Sequence, residues 1–287
     1  MIKKILWATD GSKDSDETLR YVEILAGKYK SEIVGLYVIP DYPERRVADQ
    51  FSSEDKTRFL KWVEENESKE RMRLEQIAKD LKKKGINFRG EIGLGIPRKE
   101  ILKVAEEEGV NLIALGKGRP IEKFILGGTA VKVLRQSSFP VLTAKEGGKS
   151  VGIKRILAPV DIAHAFPKSL SYAVELSREF DAEVYLLSIV EVGEYDFPIE
   201  MVERMRGFSI REIEENIGKS RIGKNVETHV EVAKNAWRGI VKFAQEKNID
   251  LIVMMTYGGV KFKEDFIGST AERVVQEARC PVITMKP

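Results

Sequence analysis

The sequence predicts an α/β protein built from two tandem open-sheet domains, and three observations carry that prediction. Short apolar runs alternate with amphipathic segments along the whole chain, the rhythm of a parallel sheet covered by helices on both faces. The rhythm is stated twice. Lys3-Lys4-Ile5-Leu6 returns as Lys154-Arg155-Ile156-Leu157, an offset of 151 that also takes Asp10 to Asp161, Leu19 to Leu170, Leu25 to Leu176 and Glu32 to Glu183. The offset then falls to 139, pairing Ile101 with Ile240, Ala105 with Ala244 and Ile113 with Ile252, and ends at 141, pairing Gly127 with Gly268, Thr129 with Thr270 and Pro140 with Pro281. Constant offsets separated by two length changes mark a duplication with altered loops. The polar, glycine-containing stretch Glu146-Gly147-Gly148-Lys149-Ser150 reads as the linker, giving domains at 1–147 and 151–287.

Within the first repeat, Ile5 to Thr9 is an apolar run of strand length, and Leu19, Val22, Leu25 and Tyr29 follow at helical spacing. Ile33 to Ile39 is a β-branched second strand. The charged stretch from Glu54 to Lys84 reads as a long helix, with Phe59, Val63, Leu74, Ile77 and Leu81 as a broken apolar stripe against its own domain. A strand over Phe88 to Ile92, a helix over Arg98 to Glu107 and a strand over Leu112 to Leu115 come next. A helix from Gly128 to Arg135 and a last strand, Val141 to Ala144, complete the repeat, and the second copy runs from Ile156 to Met285 in the same order.

Composition narrows the function. Of 287 residues 43% are hydrophobic, enough for real cores, and 48 basic residues meet 45 acidic ones for a net charge of +3. That balance argues against a dedicated nucleic-acid binder, which gathers a basic excess on one face. The single cysteine, Cys280, forms no internal disulfide and supports no cysteine zinc site, and its place before a strand suits a small buried residue. Apolar runs such as Leu251 to Met255 are too short to span a bilayer, and Met1-Ile2-Lys3-Lys4 enters a strand without a signal-type apolar region. The expected location is the cytoplasm, with no membrane and no nucleic acid among the partners.

Open α/β sheets bind ligands beyond the carboxyl ends of their strands, where strand order reverses. Two loops per repeat qualify. One follows the first strand and carries Asp10-Gly11-Ser12 or Asp161; the other follows the fourth strand, from Gly116-Lys117-Gly118-Arg119-Pro120 to Gly127-Gly128-Thr129, or from Met255-Thr256-Tyr257-Gly258-Gly259 to Gly268-Ser269-Thr270. A helix starting at Gly128 or Ser269 turns unpaired N–H groups and a positive dipole end toward its loop. Glycine lets an anion approach the backbone there, and a Ser or Thr hydroxyl adds a donor. Lys117, Arg119 and Lys123, or Lys261 and Lys263, would keep the loop cationic. The competing reading is an ordinary strand-to-helix turn, with Asp10 and Asp161 capping the next helix.

The opening K-x-I-L-x-x-x-D (Lys3 to Asp10, and Lys154 to Asp161 with a basic pair), the aliphatic residue of the second strand (Val38, Ile189), Gly95-Ile96-Pro97 before a helix, and the glycine loop leading to Gly-Gly-Thr or Gly-Ser-Thr recur across both repeats. In these the chain resembles the universal stress protein family over essentially its whole length. The resemblance implies, in each half, a five-stranded parallel sheet of order 3-2-1-4-5 with helices on both faces, of the adenine nucleotide alpha hydrolase-like kind. It implies ATP or AMP as ligand, with Mg2+ as companion ion. In ATP-binding members the first-strand Asp and the second-strand aliphatic residue hold adenine, while loop glycines and Ser/Thr hold ribose and phosphates. Carried onto this chain, the implied contacts are Ala8, Thr9, Asp10, Val38, Gly116, Gly118, Gly127, Gly128 and Thr129 in the first half. In the second half they are Pro159, Val160, Asp161, Ile189, Met255, Gly258, Gly268, Ser269 and Thr270. Both halves depart from the family's G-x-x-G-x9-G-S/T loop. The first is two residues shorter and has Gly128 where Ser is usual; the second has Met255 for the leading glycine, and Asn235 and Ala236 for the G-x-P. The halves are therefore expected to bind unequally.

Members of the family pair edge strands, so Val141 to Ala144 and Val282 to Met285 are expected to join within one chain as a pseudo-dimer; the sequence leaves a further homodimer open. Chemistry finds little support. The chain has two histidines and no G-x-x-x-x-G-K-S/T run. His229-Val230-Glu231 has no C-x-x-C to complete a deaminase zinc site, and Asp10 to Ser15 lacks the double glycine of the S-G-G-x-D-S pyrophosphatase loop. The expectation is a regulatory binding protein rather than an efficient enzyme, with slow ATP hydrolysis left open and a scaffold without nucleotide as the alternative.

Overall fold

A computed structural model describes residues 2–40, 52–118, 128–147, 152–161, 168–195, 197–219, 226–257 and 267–287. The first half runs β1 (Lys4–Thr9), α1 (Lys13–Tyr29), β2 (Glu32–Pro40), α2 (Ser53–Lys83), β3 (Asn87–Gly95), α3 (Pro97–Glu108), β4 (Leu112–Gly116), α4 (Gly128–Gln136) and β5 (Val141–Ala144). The second runs β6 (Arg155–Pro159), α5 (Lys168–Phe180), β7 (Glu183–Glu191), α6 (Ile199–Lys219), β8 (Val226–Ala233), α7 (Ala236–Glu246), β9 (Leu251–Met255), α8 (Ser269–Glu277) and β10 (Val282–Met285). Each half has the 3-2-1-4-5 order, with its strands parallel.

The two sheets are one. Strand order runs β3-β2-β1-β4-β5-β10-β9-β6-β7-β8, and the join is the antiparallel pair β5–β10, with Val141 opposite Thr284, Leu142 opposite Ile283 and Thr143 opposite Val282. All four residues of each joining strand are buried. A four-residue strand that is apolar on both faces makes a poor open edge, since its free N–H and C=O groups and side chains would all face water. Pairing the two edges removes both problems at once.

Period-two alternation sorts the core into two layers. Ile5 and Trp7 face α1 and α2, and Ile156 and Ala158 face α5 and α6, in one cluster that includes Leu25, Leu74, Leu170 and Ile213. Leu6, Ala8 and Leu157 face the other way, with Ile101 of α3, Val133 of α4, Phe243 of α7 and Val274 of α8. Helices α1 and α5 also meet, Tyr29 and Phe180 packing edge-on with centroids 6.3 Å apart. Among the described residues no helix is long and apolar enough to cross a membrane.

The long charged helix packs over only part of its length. Of the predicted stripe Leu74 and Leu81 are buried and Phe59, Val63 and Ile77 only partly so, while Leu60, Trp62 and Met72 outside it are exposed, so the stripe's fully buried contacts lie in the C-terminal half. The free N-terminal end rests on its cap. The Ser52 hydroxyl accepts from Asp55 N at 3.1 Å, and the Asp55 carboxylate accepts from Ser52 N at 3.2 Å, forming a capping box. With little tertiary packing here, Ser52→Ala should cost about 1 kcal/mol locally. Amide exchange at Asp55 and Lys56 should quicken about fivefold while global unfolding stays in place; unchanged exchange would show that the cap contributes nothing.

Candidate functional site

β1 lies between β2 and β4, so the chain leaves it in one direction for β2 and β3 and in the other for β4 and β5. β6 is the same switch point in the second half. Beyond these strand ends lie the loops singled out by sequence. Ala8, Val38, Pro159 and Val160 are buried at the strand ends, Ile189 is partly buried, and Asp10 and Asp161 are exposed just past them. Gly127 and Gly258, and with them Arg119, Lys123, Lys261 and Lys263, lie outside the described residues.

In the first half, side chains of the same chain already use the polar groups of this mouth. Neither helix cap is Asp10: its Oδ1 accepts from Ser12 N at 3.0 Å, and Ser12 caps α1 by accepting from Ser15 N. The Thr9 hydroxyl accepts from Gly11 N at 3.1 Å, contacts Ser15 Oγ at 2.9 Å and accepts from Arg73 Nη1 at 3.2 Å. Arg73, reaching in from α2, also donates to the buried Glu70 at 3.2 Å, pairs with Asp16 and lies 5.9 Å from the Trp7 ring centroid. The Trp7 indole N–H donates to Ser15 O at 2.9 Å. Burial, then the nearby Glu70 and Asp10 carboxylates, raise the Tyr37 hydroxyl above its ordinary range.

The loop after β4 is tied down as well. A Cβ on Gly116 would stand 2.7 Å from Ser15 N and 2.8 Å from Asp14 C, so α1 can approach β4 this closely only because residue 116 is glycine. Gly118 has φ +74°, a left-handed conformation that suits glycine. Lys117 corrects an expectation: its ammonium does not serve the loop. The residue is 3% exposed, and Nζ donates to Ala278 O, 2.8 Å away at the C-cap of α8 in the other half. Burial first, then Lys145, drives it down to about 7. Gly128 opens α4 with Thr129 beside it, both partly buried. Nearby Cys280 is only partly buried, short of the buried position expected before a strand, and burial pushes the thiol up to about 11.

The second half builds the same loop from different residues. Met255, partly buried, ends β9 where Gly116 ends β4. Thr256 takes the place of Lys117: its N–H donates to Met285 O at 2.8 Å, as Lys117 N donates to Ala144 O at 3.0 Å. The Thr256 hydroxyl is buried and has no hydrogen-bond partner among the described residues. Gly268 is the N-cap of α8, and its N–H donates to Thr256 O at 2.7 Å. A Cβ on Gly268 would lie 3.2 Å from that oxygen, so a side chain here would press on the loop. Exposed Ser269 and partly buried Thr270 begin the helix; its first N–H groups have no acceptor within the helix and, with the dipole, make an anion cradle. The Thr256–Gly268 backbone bond thus sets a residue whose buried hydroxyl has no partner among the described residues next to a glycine-capped helix N-terminus. Among the described residues no three His, Cys, Asp or Glu side chains gather as a metal site.

Arg73 and Glu70 escaped the sequence reading, and Thr256 was named only as part of the candidate loop, with no role of its own. The first two are charges among many on α2, and Thr256 is one threonine after a strand; only the folded contacts distinguish them.

A model of the universal stress protein family matches residues 1–145 and again residues 152–286. Two universal stress proteins of Methanocaldococcus jannaschii are similar to about half the chain each. One is 31% identical over 139 residues, covering 46% of this chain and 82% of the relative; the other is 35% identical over 156 residues, covering 50% and 96%. A solved universal stress protein from Archaeoglobus fulgidus matches at full length, with TM-score 0.73, 25% identity, and 99% of this chain and 98% of that one covered.

Proposed function

The chain belongs to the universal stress protein family, once in each half, and from that premise we propose that it is an adenine-nucleotide-binding regulatory protein. The observation that carries the reading is the cradle at α8: the Gly268 N-cap, Ser269 and Thr270 at the start of the helix, and Thr256, bonded to Gly268 through its carbonyl and with a buried hydroxyl that has no partner among the described residues. ATP or AMP would set its phosphates against these groups and its adenine beside Asp161 and Ile189. Bound nucleotide supplies the chain with a removable anion at a helix terminus, and occupancy changes the surface offered to partners. Among the described residues near the cradle no base is paired with a nucleophile, and on this reading the protein works by binding, with any ATP turnover slow. Mg2+ would enter with the nucleotide rather than on protein ligands. The reading places this work in the cytoplasm.

Acid extraction of the purified chain, followed by calorimetric titration with ATP and AMP, tests the proposal. An adenine nucleotide should be released from the protein or bound by it. If none is carried and none binds at millimolar concentration, the regulatory reading fails and the chain is a scaffold of the same fold.

A further inference from the structure

Resting on the nucleotide-binding reading above, we infer that the chain holds one nucleotide, in its second half, and that its own side chains close the mouth of the first. The repeat makes the comparison residue by residue. At the offset of 151, Trp7, Thr9 and Tyr37 become Ala158, Val160 and Ser188. The buried pair Glu70 and Leu74 on α2 matches the buried pair Ser209 and Ile213 on α6, which sets Arg73 against Glu212. Each member of the Trp7–Thr9–Tyr37–Glu70–Arg73 cluster is thus replaced by a smaller or uncharged group, except Arg73, whose sign is reversed. Residue 212 therefore brings a carboxylate, not a guanidinium, to this place on α6.

Three consequences follow from packing and charge. First, the Thr9 hydroxyl is committed to Gly11, Ser15 and Arg73, and a ligand would have to break bonds that hold α2 on the sheet. Second, α1 seats its N-terminus on Gly116, where a Cβ would stand 2.7 Å from Ser15 N, whereas the second half carries Met255 at that position and the counterparts of Asp14 and Ser15 lie outside the described residues. Third, the first half spends its loop lysine on Ala278, while the buried Thr256 hydroxyl of the second half has no partner among the described residues. Space agrees with this. Between the end of β7 and α6 lies an open cavity of about 940 Å3, lined by Ile189, Val190, Met205, Phe208 and Ser209. Its volume falls within the range of small-molecule sites, and Ile189, the implied adenine contact, is among its lining residues.

Calorimetry on the full chain with ATP and with AMP, backed by photolabelling with 8-azido-ATP and peptide mapping, tests this. One site per chain is expected, with label confined to peptides after residue 151. Ser269→Ala should weaken binding about five- to tenfold through one lost hydrogen bond, and Gly268→Val should abolish it. Because valine also presses on the loop, circular dichroism checks that variant, and the label map stands independently of it. Arg73→Met should leave the single site's affinity unchanged. Two sites, label in the first half, or one site that survives Gly268→Val in a folded protein would overturn the inference and leave nucleotide binding intact. No binding by the wild type would sink both.

Discussion

Lys117→Met should make the protein more stable near neutral pH by about 2–3 kcal/mol, although the position is almost fully buried. A buried ammonium is costly, and here burial is the main reason the group falls from its usual 10.5 to about 7. Lys145 adds repulsion, while Cys280, Asp14 and Glu277 partly offset it. Below pH 7 both the folded and unfolded states carry the proton, and the folded state bears the whole cost of burying it. Between 7 and 10.5 the unfolded chain holds more protons, so wild-type stability from this group rises with pH. Above 10.5 the cost is gone. A shift of this size corresponds to something on the order of 4 kcal/mol. Methionine has similar length and no charge, but it leaves the Ala278 carbonyl without its donor, a loss of about 1–2 kcal/mol. The measurement is urea unfolding of both proteins from pH 6 to 10.5. The advantage of the variant should be largest at pH 6 to 7 and should vanish or reverse by 10.5. A pH-independent difference, or a less stable variant at pH 7, would show that Lys117 is not a buried cation near neutrality.

What could be read from the sequence divides along physical lines. Strands and helices follow from periodicity, and the repeat offsets carry β1 onto β6 with the same register against β2 and β7: Ile5 opposite Ile33, and Ile156 opposite Val184. The β5–β10 join was expected from the family resemblance alone; each strand has a neighbour in its own half, β4 or β9, on one side, and the join fills the other edge. The direction of long polar side chains was not. Lys117 stands in a glycine-rich loop that looks built for anions, yet its four-carbon stem reaches across the join, where a carbonyl at the end of α8 accepts its proton. Arg73 sits in a helix full of charges, and only the approach of α2 to the end of β1 shows which of them turns inward. Such contacts bridge 64 and 161 residues of chain, and no local pattern records them. The site glycines were read as places for a ligand; for Gly116, the close neighbour is α1 itself.

Ile283→Asp should have the largest effect of all, because the two halves share a strand pair and a core. Ile283 is fully buried, stands opposite Leu142 at the middle of the join, and belongs to the cluster that contains Trp7 and Leu142 of one half and Ala158 and Val253 of the other. An aspartate there must either bury an unpaired carboxylate or stay protonated, and it also loses the isoleucine's contacts. Together these cost at least 4 kcal/mol. The site of the damage decides its form. If the ten strands fold as one cooperative sheet, the wild type unfolds in a single transition seen alike by far-ultraviolet circular dichroism and by tryptophan fluorescence, which reports on buried Trp7 and exposed Trp62 in the first half and partly buried Trp237 in the second. The variant should then lose both signals at much lower urea. If the halves are independent, the aspartate should unfold the second half alone, and the circular dichroism would split into two steps with Trp7 retained. The antiparallel pairing and the shared cluster favour the first result. A wild-type-like midpoint in the variant would mean that β10 is not held against β5 in solution.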